Sequence, residues 1–167
     1  MNTSPQNIFV GKGAKPGLMG GCYIQGRGRL FIGDYVEMGP NCSIISGNHG
    51  LYKQTELIRK ETIIGDHCWI ASNCCILAGI VLGPRTVVAA GSVVTKSFPQ
   101  GYCIIGGNPA KKLKELDQNL FIENKIEPEF YGFIPAKKIR KYKQKYLGHI
   151  NFDYDISTVS KNEFYQK

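Results

Sequence analysis

His49 is the side chain of this sequence best suited to moving a proton at neutral pH. It stands in Gly47-Asn48-His49-Gly50 and is followed closely by Tyr52 and Lys53. A hydroxyl is a poor nucleophile until its proton leaves. An imidazole, with an unperturbed pKa near ~6.5, can take that proton, and general-base catalysis of this kind typically contributes ~10²–10⁴-fold. The flanking glycines would let the backbone approach another surface closely. Read alone, the same histidine also fits a solvated loop. Tyr52 and Lys53 fit either loop packing or contacts to the molecule that surrenders the proton.

The other candidates for chemistry carry less. His67 follows Gly65-Asp66 and reads as a surface corner, and His149 lies far along the chain, so no histidine triad stands at zinc spacing. Six cysteines (Cys22, Cys42, Cys68, Cys74, Cys75 and Cys103) form no CxxC pair and read as reduced, mainly buried thiols. No metal is expected. Twenty-one Lys and Arg against 13 Asp and Glu leave a formal charge of +8, concentrated in Lys111, Lys112, Lys114 and the run 137–145. Such charge calls for anionic company, and nucleic acid, a polyphosphate cofactor or an acidic glycan would each supply it.

These residues are set on a periodic chain. Ile64, Ile70, Ile76, Leu82, Val88 and Val94 recur every six residues, each followed by a mostly small residue: Gly65, Ala71, Leu77, Gly83, Ala89, Thr95. A second compact or apolar position lies four residues after each aliphatic: Cys68, Cys74, Ile80, Thr86, Ser92, Phe98. Ile, Leu, Val and Met make up only 40 of the 167 residues, so filling all six places by chance has odds of roughly two in ten thousand. A weaker copy precedes it. Leu18, Ile24 and Leu30 share one register, and after a two-residue slip Ile32, Met38 and Ile44 resume the count. Six residues make one short strand and a corner, with the aliphatic pointing inward and the small residue permitting a tight bend. Three units close a triangle, and successive triangles stack as parallel coils.

The period breaks at 46–61, which reads as a loop thrown out from one corner, and a loop of that length in a compact domain is usually functional or disordered. After the repeats, Asn108-Pro109 reads as a helix start, with a helix over 109–118 carrying Leu113 and Leu116 on one side. A second helix is expected over 135–147, stopped by Gly148. The chain thus divides into a repeat domain at 1–108, the helix at 109–118 packing on it, and a basic aromatic extension at 119–167. A length of 167 residues suits one domain. With no apolar run of membrane-span length and no signal-peptide pattern, the expected location is the cytoplasm.

The stretches GNHGLYKQ and IIGDHCWIASNCCILAGIVLGPRTVVAAGSVVTKSFPQGYCIIGGNPAKKLKEL, from Gly47 to Leu116, resemble hexapeptide-repeat acyltransferases of the left-handed β-helix type. A looser match runs back to about Ile8. The similarity is to small O-acetyltransferases acting on sugars and bacterial surface polysaccharides. IGDxxWI, AAGSVVTK and GNPAKKLK at these distances are more specific than hexads alone, which scaffolds and γ-class carbonic anhydrases also carry. Left-handedness comes from the resemblance only, since the general crossover rule favours the opposite hand.

The resemblance implies a mainly β prism and a homotrimer, with acetyl-CoA in the groove between neighbouring prisms and direct acetyl transfer to a hydroxyl. His49 takes the place of the family's general base. Ser72 and Ala90 take the positions that meet the pantetheine arm, Thr95 and Lys96 lie near the phosphates, and Lys111 and Lys114 approach the nucleotide end. Small residues leave room for a slender thioester chain and lysines supply point charges. The small corner residues are equally what a coil bend demands, and both late lysines equally suit a solvated face. Relatives often carry arginine where this chain has Lys111 and Lys114. The acceptor is expected to be a sugar or surface glycan contacted by Tyr52 and Lys53, rather than nucleic acid. Rival readings are N-acetylation of an amino-sugar nucleotide, modification of a small antibiotic, or a non-catalytic scaffold or basic binding module. The first usually brings an additional N-terminal nucleotide-binding domain, which this sequence does not show.

Overall fold

The computed structural model describes residues 5–122 and the strand pair Phe130–Tyr131 with Ile134–Pro135. The expected helix over 135–147, apart from Pro135, and most of the 119–167 extension lie outside the described residues.

Within residues 5–122 the chain is a left-handed parallel β-helix with three walls. The first wall stacks Ile8–Val10, Leu30–Ile32, Thr62–Ile64 and Val81–Leu82. The second stacks Tyr23–Gln25, Ser43–Ile45, Cys75–Ile76 and Val93–Val94. The third stacks Glu37–Met38, Trp69–Ile70, Val87–Val88 and Cys103–Gly107. The parallel pairs follow the hexad count: Ile64 aligns with Leu82, Ile70 with Val88 and Ile76 with Val94, each eighteen residues on. Three hexads therefore make one coil. Ile32, Ile44, Ile64, Ile70, Ile76, Leu82, Val88 and Val94 are each at most 1% exposed, so every coil roofs the apolar face of the last. The weak leading copy fades outward, because Leu18 is 69% exposed although it keeps the spacing.

The bends do not lie where the small residues do. Tyr35, Asn41, His67, Asn73, Gly79, Arg85 and Gly91, each three residues after an inward aliphatic, take φ between 53° and 88°. Those are the left-handed corners. The residue directly after the aliphatic is small for another reason: the next coil sits on it. A Cβ on Gly33 would lie 2.7 Å from the Asp66 nitrogen, and one on Gly65 would lie 2.6 Å from the Gly83 carbonyl carbon. Gly33, Gly65 and Gly83 form a column along one edge, and none of them has a positive φ.

The helix expected over 109–118 is not formed. Ala110–Glu115 is a strand that folds back antiparallel on Cys103–Gly107 around a cis Asn108-Pro109 bond. The physical reason is the open edge of the third wall. Cys103–Gly107 would otherwise end the stack with unpaired backbone groups, and the returning strand satisfies them. The 46–61 segment does leave the prism, and it is ordered as a hairpin: Gly47–His49 pairs antiparallel with Leu57–Arg59.

Candidate active site

Two of the three prism edges carry the candidate residues other than Lys111 and Lys114, which lie on the returning strand of the third wall. The hairpin edge joins the second wall to the first, and is formed in successive coils by 26–29, 46–61, 77–80 and 95–97. On the second edge, between the third wall and the second, the corners are 39–42, 71–74 and 89–92.

The root of the hairpin is a buried polar knot. Ser46 is fully buried, and its hydroxyl donates to the Gln25 carbonyl at 2.6 Å or that of Gly28 at 3.0 Å while accepting from the Gly28 amide at 3.1 Å. The Gln25 side-chain oxygen accepts from the Gly47 amide at 3.0 Å. This knot ties the hairpin to corner 26–29, where the chain takes eight residues from inward Ile24 to inward Ile32 against six from Ile76 to Leu82. Ile24 aligns with Ile44 twenty residues on, where later coils need eighteen. The slip seen in the sequence is thus a widened corner, and Arg27 stands in it.

Arg27 reaches His49. Its Nη1 lies 2.8 Å from His49 Nε2, and His49 Nδ1 lies 2.7 Å from the Gln54 carbonyl oxygen. A guanidinium can only donate and a carbonyl can only accept. Both contacts therefore select one neutral tautomer, with the proton on Nδ1 and the lone pair of Nε2 facing Arg27. Gln54 fixes the ring through its backbone, and Nε2 is left as the basic nitrogen. Gly47 allows the approach, because a Cβ there would lie 2.8 Å from Arg27 Cβ. Arg27 was not among the residues singled out in the sequence. The two-residue slip, together with the Gly26-Arg27-Gly28-Arg29 run, was the available signal.

Tyr52, fully exposed, and Lys53, exposed, stand at the hairpin tip beyond His49. Thr95 and Lys96 are exposed on the same edge two coils further along, with Lys96 Nζ 5.6 Å from the Phe98 ring centre. Ser72 and Ala90 lie elsewhere, on the second edge. They occupy equivalent corners of successive coils, Ser72 half-buried and Ala90 exposed, and the Ser72 carbonyl accepts from the Gly91 amide at 2.9 Å. Beside Ala90, a Cβ on Gly91 would meet nothing within 4 Å. Lys111 and Lys114 are exposed on the returning strand opposite Gly106 and Ile104. Three positions apart on a regular strand they would point opposite ways. The irregularity at Leu113, which has no partner in the ladder, restores both to the outward side. Within one chain the structure brings His49, Tyr52 and Lys53 together on one element and Ser72 and Ala90 together on another edge.

The other residues with reactive or aromatic side chains lie outside these two groups. His67 is a left-handed corner whose ring stacks on Tyr35 at 5.1 Å. Trp69 is 56% exposed on the outer face of the third wall. The six cysteines are free thiols. Cys42, Cys68 and Cys74 point inward and donate to the carbonyls of Ala71, Gly83 and Ala89 at 3.0–3.2 Å, so each thiol satisfies a corner of the next coil. Burial pushes the Cys68 thiol up to about 12 and raises Cys42, Cys74, Cys75 and Cys103 as well. None of these five is poised as a thiolate nucleophile. Among the described residues no cluster of three His, Cys, Asp or Glu could hold a metal ion, and no helix is long and apolar enough to cross a membrane.

Known proteins share this fold. The family described as "Bacterial transferase hexapeptide (six repeats)" matches residues 61–96. A probable macrolide acetyltransferase from Lysinibacillus sphaericus is 33% identical over 62% of this chain and 72% of its own length. A crystal structure of a maltose O-acetyltransferase from Clostridium difficile 630 superposes with a TM-score of 0.61 at 30% identity, covering 67% of this chain and 60% of that one. A hexapeptide-repeat acetyltransferase from Vibrio cholerae O1 biovar eltor, solved in complex with acetyl coenzyme A, gives 0.59 at 30% identity over 68% and 62%. The chain spans 60–65% of the length of the chloramphenicol acetyltransferases it matches.

Proposed function

Because the chain belongs to the hexapeptide-repeat acetyltransferase family, we propose that it is an acetyl-CoA-dependent O-acetyltransferase acting on a sugar hydroxyl, either free or within a surface glycan. The observation that carries this reading is the fixed tautomer of His49. Its Nδ1 proton is committed to the Gln54 carbonyl, which leaves Nε2 as a base on an exposed hairpin beside Tyr52 and Lys53.

Acetyl-CoA supplies an activated acyl carbon, and the protein has to remove the acceptor's proton as the new C–O bond forms. Nε2 takes that proton and returns it to the departing thiolate, so the imidazole ends neutral. Tyr52 offers a ring face to a sugar and Lys53 a donor to its hydroxyls. The residues assigned to the donor fit it chemically. Ser72, Ala90 and the open Gly91 corner form a slim strip for a pantetheine arm. Thr95 and Lys96 on the hairpin edge, and Lys111 and Lys114 on the returning strand, offer hydroxyl and ammonium groups to phosphates.

Ser72 and Ala90 lie on a different prism edge from His49, so a homotrimer in which one copy's hairpin edge faces the next copy's second edge would assemble both halves. The free thiols suit a reducing cytoplasm.

Relatives named for chloramphenicol and macrolide favour a second reading, in which the acceptor hydroxyl belongs to an antibiotic. One experiment separates the two: thiol release from acetyl-CoA across neutral and acidic sugars, oligosaccharides, chloramphenicol and a macrolide, with NMR of the product. Acetylated sugar supports the first reading. Turnover confined to an antibiotic supports the second. Absence of both acetyl-CoA binding and turnover would leave a non-catalytic prism.

A further inference from the structure

Beside His49 the widened corner opens into a cleft of about 530 Å³ lined by Asn7, Arg27, Gly28, Arg29, Arg59, Lys60 and Glu61. Four of these seven residues are cationic and one is acidic. Hydrogen bonds tie the lining residues to two coils. Asn7 donates to the Gly26 carbonyl at 2.9 Å, and the Lys60 amide donates to the Ser46 carbonyl at 2.8 Å. Lys60 lies along the edge over Gly79, where a Cβ would come 2.8 Å from its Cδ. None of these cations belongs to the set assigned to the donor.

Arg27 links the cleft to the base. It lines the cleft and also donates to His49 Nε2 at 2.8 Å. An imidazole nitrogen has one in-plane lone pair, so Nε2 cannot accept a hydroxyl proton while Arg27 holds it. A guanidinium binds a carboxylate or phosphate more strongly than a neutral imidazole, through charge-assisted and often paired hydrogen bonds.

We propose that this cleft receives an anionic group, a carboxylate or a phosphate, carried by the acceptor, and that the group draws Arg27 off His49 and so releases the base. The inference rests on the acetyl-transfer reading and narrows its acceptor to an acidic sugar or sugar phosphate. A neutral sugar offers nothing that competes for the guanidinium. Arg27 is in this account a positioning residue that couples acceptor charge to base availability.

The test compares methyl galactoside, galacturonate and galactose 6-phosphate as acceptors for the full chain and for two variants, Arg59→Ala/Lys60→Ala and Arg27→Gln. Galacturonate binding is also measured by calorimetry without acetyl-CoA. We expect the wild type to favour an anionic acceptor by roughly tenfold or more in kcat/KM, the value of one charged hydrogen bond. The double variant should collapse that preference and weaken galacturonate binding while leaving the KM for acetyl-CoA unchanged. Arg27→Gln should lower the anionic rate and raise the neutral one, an opposite pair of shifts that simple loss of structure would not give. Preference for galacturonate or for the 6-phosphate identifies which anion is meant, and either supports the proposal. Equal use of all three acceptors, or a raised KM for acetyl-CoA in the double variant, would overturn it. If no acceptor releases thiol, the acetyl-transfer reading fails on its own. The cleft is then judged by calorimetry: galacturonate binding lost in the double variant supports an anion site, and no binding to the wild type removes it.

Discussion

Arg27 and His49 sit 22 residues apart in sequence, on adjacent coils of one prism edge, and their side chains meet at 2.8 Å. The contact exists because two extra residues widen one corner and a hairpin leaves the corner above it.

Ser46 holds the widened corner and the hairpin root together through a fully buried hydroxyl. Ser46→Ala leaves the Gly28 amide without its acceptor, which should cost about 1–3 kcal/mol. Urea unfolding should show that loss. Turnover should fall beyond what the stability change explains, because both Arg27 and His49 lose their common anchor. A variant with unchanged turnover would mean that the knot is only a packing device.

Gly65 stands in the column where one coil rests on the next. A Cβ there would lie 2.6 Å from the Gly83 carbonyl carbon. Gly65→Ala should therefore destabilise by about 1–3 kcal/mol through forced separation of two coils, seen as a lower thermal midpoint. Arg85→Gly removes a side chain from a left-handed corner and should be better tolerated at the backbone, though it loses the stacking of Arg85 over Phe121.

The Cys68 thiol, held near 12 by burial, should resist alkylation in the native protein. At pH 8, iodoacetamide followed by mass spectrometry should label half-buried Cys22 well before Cys68. The same shift gives a pH dependence. A thiol with its folded pKa above the ordinary 9.0 contributes stability that is intact below about 9 and is lost as pH rises towards 12. Stability measured across that window should fall, and Cys68→Ala should flatten part of the fall. Prompt labelling of Cys68 would contradict its burial.

If each site is shared between two copies, inactive variants can complement one another. His49→Ala spoils the hairpin edge, and Ser72→Trp blocks the second edge. Neither should turn over alone. Co-expressed and randomly mixed, they should recover about a quarter of wild-type activity, since one junction in four joins an intact hairpin to an intact second edge. Activity that stays at zero in verified mixed oligomers would place the whole site within one chain.

The prism was legible because its rule is local. An inward aliphatic every sixth residue specifies wall, corner and coil without reference to distant contacts, and Ile64 to Val94 obey it throughout. The ends were not legible by the same rule. Asn108-Pro109 followed by Leu113, Leu116 and lysines carries the pattern of a capped amphipathic helix, yet the open third wall claimed the segment as a strand. The role of the small residues was misplaced by two positions. Gly65 looks like a turn glycine, whereas the turn is made at His67 and Gly65 is bare because Gly83 stacks on it. His49 could be singled out from its motif. Arg27 was marked only by the slip and the Gly26-Arg27-Gly28-Arg29 run, since its meaning depends on how corner 26–29 lies beneath the hairpin.

The most direct measurement is acetyl-CoA-dependent product formation by wild type and His49→Ala, followed by NMR of the acceptor with circular dichroism as a check on fold. The account predicts an O-acetylated sugar from the wild type and at least a hundredfold slower turnover from a folded His49→Ala that still binds acetyl-CoA. Undiminished acetylation by that variant would contradict it, because the account assigns removal of the hydroxyl proton to His49.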